Sequence, residues 1–168
     1  MKDLNKLSLT RFAATVADIT NVERPACADQ PILWLEEALS DLCKEPFDRV
    51  FIQNPDCCGQ WLFDKYPDAI EPVLKHTQVS VPFQTVMPSV TPVCFGTMYT
   101  GAQPSVHGIQ KYEKPIIKIQ SLFDSWIKAG KKVLMVAAED CSLATIFKDR
   151  GFDIINVTED GIGQESLA

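Results

Sequence analysis

The sequence predicts an α/β protein, a single domain over residues 1–168 with a mostly parallel sheet and helices on both faces. Three observations carry that expectation. "KKVLMVAAED" (131–140) and "FDIINVT" (152–158) are short apolar runs, and a helical stretch stopped by Gly151 separates them. Strand–helix–strand alternation with apolar strands is the pattern of a parallel sheet covered on each side. The 168 residues hold no internal repeat, low-complexity tract or interdomain linker. A chain of this length buries roughly 70% of its unfolded surface as one domain.

The elements follow in order. Leu4, Leu7, Phe12, Val16 and Ile19 recur at helical spacing, so a helix is expected within 4–20. "NVERPACADQP" is a loop broken by Pro25 and Pro31. Ile32 to Cys43 has the period of an amphipathic helix, and Pro46 ends it. "FDRVFIQNPD" predicts a buried strand over Arg49 to Gln53, stopped at Asn54-Pro55. Helices are expected over Gly59 to Lys65 and Pro67 to His76, then a short strand over Val79 to Phe83 that Pro82 weakens. A helix opens at Thr91-Pro92 and runs to Thr100, with Gly101 as its stop. After a loop, Ser121 to Ala129 forms a helix stopped by Gly130, and Ser142 to Arg150 is the helix between the last two strands.

Composition narrows the partners. A net charge of −6 argues against nucleic-acid polymers and anionic membranes, which require clustered Lys and Arg. No apolar run approaches the ~20 residues of a membrane span. Arg11 and Asp18 interrupt any signal-peptide core behind the basic start, so a cytoplasmic protein is expected. None of the six cysteines forms a C-x-x-C pair, and Cys57 and Cys58 are adjacent, which suits reduced thiols. Unpaired sheet edges would favour a homodimer.

Two polar positions fall at expected strand ends or helix starts, where parallel α/β sheets bind ligands. Asp56 follows the expected strand Arg49–Gln53 and is a hard oxygen donor suited to a metal ion. Thr91 stands at the mouth of a helix whose first-turn N–H groups, on Val93 and Cys94, would meet an anion together with the positive end of the dipole. A threonine hydroxyl is a poor nucleophile without a base or a metal. The plain alternative is that Thr91 is an N-cap, Pro92 a first-turn residue and Asp56 a turn residue.

Other residues admit two readings each. Cys94 is either a first-turn thiol of lowered pKa or a buried helix cysteine. Asp140 is an N-cap or, with Glu139, a ligand contact beyond a strand end. Lys111, Tyr112 and Lys114 either contact an anionic substrate or belong to a solvated loop. Asn54 either supports the Asp56 site or is a turn residue.

The run "MPSVTPVCFGTMYTGAQPSVHGI" resembles the nucleophile segment of the alkaline phosphatase superfamily, and within it the nucleotide pyrophosphatases and phosphodiesterases. Its matching elements are Pro88, Thr91, Thr100-Gly101, Pro104 and His107-Gly108-Ile109. "VFIQNPDCCGQW" resembles that family's first strand, with Asp56 in the place of its metal-ligating aspartate. The resemblance spans about residues 48–157. It implies a hydrolase of phosphoric mono- or diesters with two divalent metal ions, usually zinc. In it Thr91 would be nucleophile and metal-bound residue, with Val93, Cys94, Lys111 and Tyr112 near a small phosphate-ester substrate. In place of the family's Asp-Gly the chain has Asp56-Cys57-Cys58-Gly59, and Pro92 follows Thr91 where an aromatic is usual. His107 is the one histidine after Thr91, at a position that packs the loop behind the helix in that family. The remaining metal ligands are not found in this chain, so the expectation is the N-terminal part of a larger phosphatase- or phosphodiesterase-like domain. The rival reading is a non-catalytic phosphate-binding domain or an inactive fragment.

Overall fold

The computed structural model describes residues 7–42, 47, 49–55 and 58–157. After a 3₁₀ turn at Leu9–Arg11 come α1 (Phe12–Ile19), α2 (Leu33–Leu42), α3 (Gln60–Lys65) and α4 (Pro67–Leu74). α5 (Thr91–Thr100), α6 (Pro104–His107) and α7 (Leu122–Lys128) follow, then β1 (Leu134–Ala138), α8 (Ser142–Ile146) and β2 (Asp153–Val157). β1 and β2 pair in parallel, with Leu134 opposite Asp153 and Ala138 opposite Val157. The molecule is therefore α/β with a parallel strand pair around the helix α8, as the 131–158 pattern predicts.

α5 is the centre of the core. Pro92, Val93, Gly96, Thr97, Tyr99 and Thr100 are all buried, so the helix is enclosed on more than one side. The Tyr99 ring stacks on Phe123 at 4.6 Å between centroids and meets Phe147 edge-on at 5.8 Å. Phe123 in turn contacts Trp126 and Phe152, which joins α5, α7 and the approach to β2 in one aromatic cluster. Each such ring contributes about 1.5–3 kcal/mol by leaving water. Gly101 ends α5 at φ +70°, and a Cβ there would lie 2.5 Å from the Ala28 side chain. Only glycine suits both that left-handed backbone and the close approach of the 22–31 loop.

Four expectations need correction. Arg49–Gln53 is not a buried strand: it pairs with no strand among the described residues, and Phe51 is 90% exposed. Apolar composition favours a strand, but a strand needs a neighbour for its N–H and C=O groups. Val79–Phe83 gives only an isolated bridge nearby, between Ser8 and Gln84. Its backbone partners are Leu7 and Leu9, with Leu9 N–H donating to the Gln84 carbonyl at 3.0 Å.

The helix expected to reach Arg150 stops at Ile146. Arg150 turns back to donate to the carbonyls of Ile117 and Ile119 at 2.5 and 3.0 Å and to pair with Asp124. Asp149 at φ +63° and Gly151 at φ +76° make that reversal. Asp124 also accepts the N–H of Ser121 at 2.6 Å, closing the first turn of α7.

The sheet, finally, is covered on one face among the described residues, and not on both. Met135 is buried, and Ala137 and Ile154 pack on the core beside it. Leu134, Val136 and Ile155 point the other way and are 60%, 61% and 50% exposed.

Candidate functional site

The first turn of α5 is the part of the predicted site that the structure describes. Val90 is the N-cap, extended at φ −122° and ψ 152°, and no side chain caps the helix. Thr91 is therefore the first helical residue and Pro92 the second, one place earlier than the capping alternative requires. The Cys94 N–H donates to the Val90 carbonyl at 3.0 Å. That bond removes Cys94 from the free donors expected of the first turn. Pro92 has no N–H, so among the described residues the unpaired backbone donors are those of Thr91 and Val93. Val93 is fully buried, while Thr91 is half-buried. Among the described residues the Thr91 hydroxyl has no hydrogen-bond partner. A short threonine side chain at such a position ordinarily bonds to nearby backbone.

Two hydroxyl side chains just before Thr91 in the chain bond to each other. Ser89 Oγ donates to Thr85 Oγ1 at 3.0 Å, and the Met87–Pro88 peptide between them is cis. The Cys94 thiol is pushed up from its usual pKa by burial, with a hydrogen bond from Ser89 working against the shift. The lowered pKa that a reactive thiolate requires is thus the opposite of what this environment produces. Cys94 is a half-buried helix cysteine.

His107 is committed to the scaffold. Its ring fills the notch above Gly96, where a Cβ would lie 2.7 Å from Cε1. The Ile109 N–H donates to Nδ1 at 3.3 Å. The proton of the neutral ring is therefore on Nε2, which donates to Thr97 Oγ1 at 3.1 Å. Burial lowers the imidazole pKa from 6.5 to about 4, so it is neutral at pH 7. The clue to this contact was Gly96 itself, because a glycine inside a helix marks a close approach.

The other predicted residues are dispersed. Lys111 pairs with Glu113 at 3.3 Å, and Tyr112 is exposed. No hydrogen bond or ion pair joins either to the first turn of α5. Lys114 Nζ donates to the Asp140 carbonyl at 2.5 Å, which fastens the loop to the end of β1. Glu139 and Asp140 are exposed turn residues, and Asp140 is not the cap of α8, a place taken by Cys141. Asn54 Nδ2 donates to the Tyr99 hydroxyl at 2.9 Å, tying residues 49–55 to α5 just before Asp56. Asp56 itself lies outside the described residues, and so does Cys57.

Among the described residues, no group of three or more His, Cys, Asp or Glu side chains could hold a metal ion. These residues alone do not fit a two-metal centre, and no metal-bound step follows from them. Nor is any described helix long and apolar enough to cross a membrane. Comparison with known proteins matched no family model, no curated protein and no solved structure.

Proposed function

We propose that the chain handles phosphoric esters at the N-terminus of α5, as part of a metal-dependent phosphatase or phosphodiesterase of the alkaline-phosphatase-like type. One observation supports this most. Thr91 opens a ten-residue helix that no side chain caps, and its hydroxyl has no partner among the described residues. A phosphoryl group there would meet the Thr91 N–H and the positive helix end. Thr91 Oγ1 would displace the alcohol from phosphorus, with the hydroxyl proton ending on the departing alcohol. Water would then cleave the bond from threonine to phosphorus, restoring the hydroxyl and releasing phosphate from a monoester or a phosphate monoester from a diester.

The resemblance of residues 86–109 to a known nucleophile segment supports the same assignment. Asp56 remains the proposed metal ligand.

The test is a trapped intermediate. Brief incubation with a labelled aryl phosphate monoester or diester, acid quench and peptide mapping should place phosphate on Thr91. Thr91→Ala should lose both label and turnover while keeping its far-ultraviolet circular dichroism. Turnover retained by that variant would end the nucleophile assignment.

A second reading is a phosphate-binding module without chemistry. It is favoured by His107, the one histidine after Thr91, which is spent on Thr97 and Ile109. Inorganic phosphate binding that Thr91→Ala weakens, with no turnover in the wild type, would select it.

A further inference from the structure

Among the described residues, two apolar surfaces lack the partner that α/β layering supplies. The outer face of β1–β2 presents Leu134, Val136 and Ile155, although parallel strands are normally covered on both faces. α3 and α4 pack on each other and present Trp61, Val73 and Leu74 to solvent. One surface is a sheet without helices and the other is a helix pair without a sheet. They are complementary in kind.

Their charges agree as well. β1 begins behind Lys131-Lys132 and ends before Glu139-Asp140. α4 carries Asp68 and Glu71 and is followed by Lys75, all three exposed. Laid parallel to β1, α4 sets unlike charges together at both ends; laid antiparallel, it sets like charges together. The six apolar side chains, all exposed, supply only part of the roughly 800 Å² that each partner contributes to a standard interface. A polar rim would supply the remainder.

We propose that the occupant is a second copy of this chain. α3–α4 of one protomer lies across the outer sheet face of its partner, with α4 parallel to β1, and the exchange is reciprocal. A two-fold arrangement covers both surfaces of both protomers and leaves none for a third, so the assembly closes as a dimer. Within one chain α3–α4 leaves that face open. The inference does not depend on Thr91 or on phosphate chemistry.

The experiment is sedimentation equilibrium of the full chain from about 1 to about 100 μM. The expected result is a dimer whose dissociation constant rises about 100-fold in Val136→Asp and in Trp61→Ala. Both side chains are exposed, and matched circular dichroism verifies that the fold is kept. Lys132→Glu should weaken the dimer several-fold, and adding Glu71→Lys should restore it, because exposed pairs are individually weak but reversible in sign. A monomer at the highest concentration, an open-ended polymer, or a dimer indifferent to both Val136→Asp and Trp61→Ala would overturn the proposal. Failure of the charge reversal alone would overturn the parallel placement of α4.

Discussion

His107 and Gly96 share one contact: the imidazole of the first occupies the space where the second lacks a side chain, with Cε1 2.7 Å from the position of an added Cβ. That contact joins the middle of α5 to the last residue of α6. Gly96→Ala should therefore be destabilising despite the better helix propensity of alanine, because the added Cβ meets the buried His107 ring, which its bonds to Thr97 and Ile109 hold in place. Overpacking of this kind costs about 1–3 kcal/mol. Urea denaturation measures it, and Gly96→Ala combined with His107→Ala should cost less than the sum of the two.

The same histidine sets a pH dependence. Its folded-state pKa of about 4 lies below the ordinary 6.5, so between these values the unfolded chain binds the extra proton. Stability is full above pH 6.5, falls as pH drops through the window, and levels off below about 4. The loss is about 3 kcal/mol. His107→Gln, which cannot titrate, should flatten that part of the stability profile. An unchanged slope in the variant would show that another group carries it.

Arg150 is the most committed cation among the described residues. It serves the carbonyls of Ile117 and Ile119 and the carboxylate of Asp124, with 9% of its side chain exposed. Arg150→Met keeps most of the volume but takes the donor from the two carbonyls and the cation from Asp124, which keeps its bonds from Ser121, at a cost of about 1–3 kcal/mol. Thermal unfolding of the variant, with Asp124→Asn and the double variant alongside, separates the ion pair from the carbonyl contacts.

Tyr99→Phe removes one hydroxyl from the aromatic cluster and with it the bond from Asn54. The expected cost is about 1 kcal/mol, with faster amide exchange in residues 49–55 and little change in α7. Burial pushes the Tyr99 phenol above its usual pKa, and the Asn54 amide offsets part of that rise. Asn54→Ala should raise it further. A spectrophotometric titration that moves the other way would refute the pairing.

By itself, the sequence determined what local chemistry can determine. Gly101 and Gly130 stop their helices, Ser121 with Asp124 starts α7, and the apolar runs at 134–138 and 153–157 become the parallel pair. Each signal acts within a few residues, through backbone freedom, capping or hydrophobic period. The tertiary structure decided what depends on distant partners. Residues 49–53 hold Val50, Phe51 and Ile52 in a row, yet among the described residues they pair with no strand and are largely exposed, because strand character is completed only by a neighbour's hydrogen bonds. Arg150 leaves its helix for carbonyls about thirty residues away. Whether Thr91 capped a helix or opened it depended on where the first i to i−4 bond formed. That bond runs from Cys94 to Val90, so Thr91 is the first helical residue, and among the described residues its hydroxyl has no hydrogen-bond partner.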